Sequence, residues 1–368
     1  MAQYDNVHVD VATEAQLLDY ELTGSDSNTL TAITVTRSFP WSWNEMVWSW
    51  YEICELVTSI LGISGNLLVV IVIFCRPSRG RSTDTLVGNL AIADFLTSLF
   101  LLPYPTVRSM PTSLAGSLFC KFMRGDYFMW TSVTASIYSL LTVSFDRFLA
   151  VVYPIRFKRL VTRGRVSLVI ISVWIWAALS MSPVLFINKV DGATGDCVFT
   201  MPNRELDVTF GLYTFAVQFA IPTVTMLCSQ LAIVRSLNRA ATKFKTGAAQ
   251  RSTASFHTAA RDRVLTLTFT IVLIYVLCWS PNQIAFLAYN LRIIPATYLY
   301  SPFNRVSIAI AFCNSCINPF LYTLRHPRFR DAVRSFFGGT STSTAPIFEE
   351  PLSQKPRSTQ DIFTLDVK

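Results

Sequence analysis

Seven apolar stretches, each long enough to cross a lipid bilayer, constrain this chain more than anything else it carries. They run at about Cys54–Cys75, Thr85–Tyr104, Phe122–Val152, Val166–Asn188, Val208–Val234, Val264–Asn290 and Pro302–Leu324. A hydrocarbon core of about 30 Å needs roughly 20 residues at helical rise. Lipid offers no partner to an open backbone N–H or C=O, so each stretch must be helical. A soluble helical core would keep a polar face on most of its helices, and these stretches are apolar on every side. Composition agrees: 51% of the 368 residues are hydrophobic and only 15% charged, where an ordinary soluble chain carries about 25% charge. The expected fold class is an all-α membrane protein built as a seven-transmembrane helix bundle. The bundle occupies residues 51–325, with an acidic segment at 1–50 before it.

The formal charge of +8 could point to nucleic acid, but the basic residues sit in short segments between apolar runs. No nucleic-acid motif accompanies them. Their distribution speaks instead to orientation, because basic loops stay in the cytoplasm. The first, third and fifth loops carry Arg76, Arg79 and Arg81; Arg156, Lys158, Arg159, Arg163 and Arg165; and Arg235, Arg239, Lys243, Lys245, Arg251, Arg261 and Arg263. The other three carry only Arg108, Lys121, Lys189, Arg204 and Arg292. The expectation is a multi-pass plasma-membrane protein with its N-terminus outside and its C-terminus inside. The first fifty residues hold Asp5, Asp10, Glu14, Asp19, Glu21, Asp26 and Glu45 against Arg37 alone. They show no basic start followed by an apolar core, so no cleavable signal peptide is expected. Trp41, Trp43, Trp48, Trp50 and Tyr51 read as an interfacial aromatic belt before the first helix.

Most of the eight cysteines lie in or at the ends of spans. Cys120, at the top of the third helix, and Cys197, in the fourth loop, face the oxidising side and read as a disulfide. No cysteine has metal-ligand spacing with a histidine. Ionisable residues inside a membrane are costly and usually functional. Asp94 sits mid-helix in Asn89-Leu-Ala-Ile-Ala-Asp94, and Asp146 and Arg147 lie together at the inner end of the third helix, before Phe148. Cys278-Trp279-Ser280-Pro281 marks a kink, since proline removes a backbone bond. The seventh helix ends on Asn314-Ser-Cys-Ile-Asn318-Pro319-Phe-Leu-Tyr322.

With these residues in order, one set to a helix, the chain resembles the rhodopsin-like (class A) G-protein-coupled receptors over roughly residues 52 to 337. Gly65-Asn66, Asn89, Asp94, Asp146-Arg147, Trp174, Pro222, Cys-Trp-x-Pro and Asn-Pro-x-x-Tyr carry the match. Phe329 and Arg330 match a short amphipathic eighth helix along the inner membrane face, placed at 326–337, with a disordered cytoplasmic tail at 338–368. The resemblance implies an activation switch made of Asp146, Arg147, Ile137, Pro222, Tyr275, Trp279, Pro281, Asn318, Pro319 and Tyr322. Release of Arg147 and an outward swing of the sixth helix would admit a heterotrimeric G protein. The sequence departs from the family in having Phe148 where tyrosine is usual, Gln230 in place of a fifth-helix tyrosine, and two extra residues between Cys120 and Arg147. That spacing predicts a bulged or extended outer turn of the third helix.

Other classes fit worse. A transporter would show repeated halves, and an intramembrane enzyme would need a nucleophile with a base or a metal set. Retinal would need a lysine where Phe312 stands, and an amine an acid where Met129 stands, with Asp126 nearly a turn higher. Trp279, Asn282, Gln283 and Phe286 share one face of the sixth helix. An amide pair under an aromatic ring suits backbone amides or a carboxamide better than a lone cation. The expected ligand is therefore a peptide, as in the galanin, allatostatin or tachykinin receptors, with a lipid or other small molecule as the alternative. Its site would comprise Met129, Asn282, Gln283, Phe286, Asn304, Ile308 and Phe312. No cofactor is expected beyond an allosteric sodium ion held by Asp94, Ser136, Asn314, Ser315 and Asn318. Thr340-Ser-Thr-Ser-Thr344 would recruit arrestin once phosphorylated. The other expected partner is membrane lipid, and nucleic acid is not expected. Tyr20, between Asp19 and Glu21, suits sulfation in a segment that would attract a cationic peptide.

Overall fold

The computed structural model describes residues 39–75, 82–245, 251–338 and 347–348. Seven long helices form the bundle. They are α1 (Trp50–Phe74), α2 (Ser82–Phe100), α3 (Tyr127–Val152), α4 (Arg163–Met181), α5, α6 (Arg251–Asn290) and α7 (Pro302–Arg325), with the short α8 (Pro327–Phe336) after them. Helix α5 has a first segment Arg204–Phe215 and a second, Ile221–Lys245, joined by the π-helical turn Ala216–Ala220. Among the described residues six helices are long and apolar enough to cross a membrane. The seventh span is α2, whose 19 residues include Asp84, Asn89 and Asp94, all buried. It packs between α1 and α3, so its polar groups face protein rather than lipid.

Local chemistry sets the helix starts. Ser49 caps α1, accepting from the Tyr51 N–H at 3.3 Å, while the Glu52 carboxylate accepts from the Ser49 N–H at 3.1 Å. Such a reciprocal box satisfies donors that a helix start leaves open. Ser301 caps α7 with Pro302 at its first position, where a missing N–H costs nothing.

Prolines inside the helices open backbone bonds that neighbouring helices close. Pro222 offers no N–H to the Gln218 carbonyl four residues back, and the Tyr275 hydroxyl donates to that carbonyl at 2.7 Å. In the same π turn the Val217 carbonyl accepts from the Tyr138 hydroxyl at 3.1 Å. Pro319 likewise frees the Ser315 carbonyl, which accepts from Asn66 Nδ2 at 2.8 Å. Gly65 permits this approach of α1 to α7, since a Cβ there would lie 2.9 Å from Pro319 Cγ.

Several boundaries differ from those expected. The third span is not one rod over Phe122–Val152. A short helix, Leu114–Phe119, passes into the π turn Cys120–Arg124, and α3 begins only after Gly125 and Asp126. Asp126 has φ 53°, a left-handed conformation that Asp tolerates better than most residues. The excess spacing between Cys120 and Arg147 is absorbed here. Helix α2 ends at Phe100, so Tyr104 lies in a loop leading to β2 (Val107–Ser109). Helix α4 ends at Met181, followed by the turn Val184–Ile187, and Asn188 belongs to strand β3 (Asn188–Val190). That strand pairs antiparallel with β4 (Cys197–Phe199). The second segment of α5 runs to Lys245, beyond the expected Val234, and α6 begins at Arg251 rather than Val264. The tryptophans before α1 are not a uniform belt. Ser42–Trp43, strand β1, pairs with β2, and Trp41 and Trp43 stand edge-on to Phe119 with centroids 5.3 and 5.8 Å away. All four of Trp41, Trp43, Trp48 and Trp50 remain exposed.

Candidate functional site

The functional side chains fall at three levels along the bundle. At the level of Cys120 and Cys197, the two cysteines form a disulfide with Cα atoms 5.4 Å apart. The bond ties the β3–β4 hairpin to the turn that precedes α3. Beneath the hairpin lies a cavity of about 1600 Å³, counting its open mouth. Met129, Asn282, Gln283, Phe286, Asn304, Ile308 and Phe312 all line it. Trp279 is buried below, edge-on to Phe312 at 6.4 Å, and Trp130 flanks Phe312 at 6.3 Å.

The cavity wall carries a chain of amides. Gln218 Nε2 donates to Thr134 Oγ1 at 3.2 Å, and Gln283 Nε2 donates to Gln218 Oε1 at 3.5 Å. Gln283 is only 2% exposed, yet its Oε1 has no hydrogen-bond partner among the described residues. An unmet buried acceptor costs on the order of 1–3 kcal/mol, so this atom favours a ligand that donates. Tyr51, Glu52, Glu55, Arg124 and Asp126 also line the cavity. None of these five was singled out as a ligand contact by the sequence. Glu55 was the legible one, an acid within an apolar span.

One level further in, Asp94 is fully buried. Its Oδ1 accepts from Ser136 Oγ at 2.6 Å and its Oδ2 from Asn318 Nδ2 at 2.8 Å. Asn314 and Ser315 are buried on the same helix as Asn318, and Oδ1 of both asparagines lacks a partner among the described residues. Pro222, Ile137 and Tyr275 are buried, with Tyr275 held on α5 by the bond described above.

At the far end, Arg147 Nη2 pairs with Asp146 Oδ2 at 2.5 Å, both side chains under a tenth exposed. Thr83 Oγ1 donates to the same carboxylate oxygen at 3.0 Å and also meets Arg147 Nη2. A buried pair of this kind is held by such added hydrogen bonds, because desolvation offsets much of the Coulomb attraction. Thr83 was not anticipated. It lies eleven residues before Asp94, three helical turns away on the same face of α2, and that spacing was the available signal. Tyr322 is buried nearby, against Phe329 at 6.0 Å. Gln230, the unusual residue of α5, is 3% exposed with its Nε2 unpartnered.

The description "7 transmembrane receptor (rhodopsin family)" belongs to a family model that matches residues 65–322. The chain belongs to this family. Among curated relatives, the receptor is 28% identical over 315 residues to the allatostatin-A receptor of Bombyx mori, covering 83% of this chain and 82% of that one. It is 28% identical over 285 residues to the KiSS-1 receptor of Homo sapiens, covering 75% and 71%. It is 29% identical over 285 residues to the human galanin receptor type 1, covering 75% and 78%. The receptor is thus a multi-pass membrane protein and not an enzyme. Among the described residues no group of three or more His, Cys, Asp or Glu could hold a metal ion. The acidic residues up to Asp26, Tyr20, and the hydroxyl run Thr340–Thr344 lie outside the described residues.

Proposed function

We propose that a peptide binds the cavity under the β3–β4 hairpin and that the receptor passes this binding to a heterotrimeric G protein at the Arg147 end. The observation that carries the reading is the hydrogen-bonded chain Thr134–Gln218–Gln283, whose two glutamines line the cavity and whose last amide oxygen has no partner among the described residues. A peptide offers N–H donors there, and a terminal carboxamide offers two more. The relatives are receptors named for allatostatin-A, KiSS-1 and galanin. Glu52, Glu55 and Asp126 on its wall, against Arg124, favour a ligand with a basic group.

The disulfide supports placing the cavity end outside the cell, where thiols oxidise. The excess of basic residues in the odd loops supports the same orientation, with the plasma membrane as the location and the C-terminus inside. Helix α8 buries Phe329 and Ala332 while Arg328 and Arg334 stay exposed, a distribution suited to the lipid headgroup layer. Arrestin would then meet the hydroxyl run at 340–344 after phosphorylation.

The transmission step follows from the hinge. Pro281 leaves the Leu277 carbonyl without its helical N–H, directly beneath the ligand contacts Asn282 and Gln283. A ligand that pulls on these amides and on Trp279 bends α6 there, and its far end swings outward. Arg147 then exchanges Asp146 and Thr83 for the opened cleft. Asp94, Ser136, Asn314, Ser315 and Asn318 would hold a sodium ion in the resting form. One carboxylate among hydroxyl and amide oxygens, two of them unpartnered, fits a small hard monovalent cation. When bound it would supply a positive charge that stabilises ionised Asp94 and braces α2 against α3 and α7. The test is a panel of amidated peptides on cells expressing the receptor, read by calcium and cyclic AMP. A saturable response that Gln283→Ala right-shifts supports the reading, and a panel without any response, against lipids that do respond, overturns the peptide assignment.

A further inference from the structure

The two described residues of the C-terminal tail are not solvated. Ile347 and Phe348 are 2% and 3% exposed and belong to the main apolar core. The Ile347 N–H donates to Asp84 Oδ2 at 3.0 Å and the Phe348 N–H to Asp84 Oδ1 at 2.7 Å. Each carboxylate oxygen thereby receives a backbone donor. Such donors are what a buried acid at 3% exposure requires. The Phe348 ring lies 5.1 Å from Tyr322, 4.8 Å from His326 and 6.1 Å from Phe329, centroid to centroid. Burial, with Arg328 nearby, pushes His326 down to about 4, so a neutral imidazole meets the ring at pH 7. Within the tail expected at 338–368, these two residues are packed. The segment touches α2, α7 and α8 together, beside the lock, because Thr83, the neighbour of Asp84, bonds both Asp146 and Arg147.

We propose that Ile347–Phe348 is an intramolecular plug, seated on Asp84 and Tyr322, that holds the receptor in its resting form and must leave before a G protein engages. The inhibitory half rests on the reading that the Arg147 end couples to G protein. The tether allows it: Gly338 and Ile347 are nine residue steps apart, a reach of up to about 30 Å, where α8 itself is about 15 Å long. The mechanism is direct. Phe348 packs on the ring of Tyr322 and fixes the side chain that activation would turn, and Asp84 anchors α2 to the tail on the side of the lock.

The test uses the full-length receptor in lipid nanodiscs. Hydrogen exchange read by mass spectrometry should show the amides of Ile347 and Phe348 protected, with protection lost in Asp84→Asn. Agonist-independent nucleotide exchange on purified heterotrimers should rise about fivefold in Phe348→Ala and in Asp84→Asn, and no further in the double variant. A synthetic peptide of residues 340–355 added to Phe348→Ala should return exchange to the wild-type level, and a scrambled peptide should not. Unprotected amides in the wild type would overturn docking. Intact protection with basal exchange unchanged in both variants, at equal receptor amounts and with a normal agonist maximum, would overturn inhibition. Protection without coupling to any heterotrimer would instead overturn the coupling reading and leave the docked segment standing.

Discussion

At the Cys120–Cys197 end the bundle opens into a cavity whose wall keeps an amide oxygen unpaired, whereas at the Arg147 end apolar rings and paired charges fill the space between the helices. Gln283 presents an acceptor with no partner. Arg147 meets Asp146 and Thr83, and Asp84 meets two backbone N–H groups. An open cavity at one end, and at the other an ion pair and apolar rings packed between the helices, describe a resting receptor, ready to take a ligand and closed to a transducer. A bistable element is biased by whichever end gains more on switching. Here the gain is on the ligand side, where a cavity leaves room for new contacts to Asn282, Gln283 and Phe286.

The largest effect should come from removing the staple that shapes the open end. Cys120→Ser or Cys197→Ser should reduce binding at the cell surface to background, and replacing both should be no worse than replacing one. Clearly additive losses would show that the two cysteines act separately, despite the bond between them. Next in size is the amide chain. Gln283→Ala should weaken an amidated agonist by about tenfold or more, the worth of one buried hydrogen bond to a ligand, with surface expression unchanged. An unaltered dose–response curve would separate the cavity from the ligand.

The closed end should respond more modestly. Thr83→Val removes the hydroxyl that links Asp146 to Arg147 and should raise agonist-independent nucleotide exchange several-fold. Basal exchange equal to wild type would mean that the Asp146–Arg147 pair holds without it. Between the two ends, Asp94→Asn should abolish the dependence of agonist affinity on sodium, which in the wild type should be a few-fold decrease on adding the ion. Indifference to sodium in the wild type would remove the ion from the account. The smallest effect belongs to the acidic leader. Deleting residues 2 to 30 should slow association of a basic peptide several-fold at low salt, with dissociation unchanged, since steering is screened beyond about 8 Å at physiological ionic strength. An on-rate untouched by the deletion would leave the leader without that role.

How much of this was legible in the sequence differs between the ends as well. Helical periodicity placed Asn282, Gln283 and Phe286 on one face with Trp279, the family resemblance supplied Met129, Asn304, Ile308 and Phe312, and all seven positions line one cavity. The disulfide was readable from cysteine type and side of the membrane. At the closed end, Asp146, Arg147 and Tyr322 were readable as motifs, and the Asp146–Arg147 pair with them, but the groups that meet them from other helices were not. Periodicity reports which face a residue occupies and carries nothing about what meets that face. Thr83 and Asp84 therefore passed unremarked, and the pairing of Asp84 with residues 263 and 264 positions later leaves no local trace. The left-handed turn at Asp126 was announced only by a spacing two residues too long. Helix α2 was found by length, although its inward acids and amides make it less apolar than the other six spans.

In the proposed mechanism, occupation of the open end releases the closed one through the hinge at Pro281. The most direct measurement is the distance between spin labels at Thr162, which caps α4, and at Thr266 on α6. Thr266 is exposed and lies fifteen residues, about 22 Å, before the hinge. The account predicts a single distribution without ligand and a second, longer distance that grows as an amidated agonist saturates the cavity, and that Gln283→Ala shifts to higher agonist concentration. A distribution that stays single at saturating agonist, with G protein present, would contradict it.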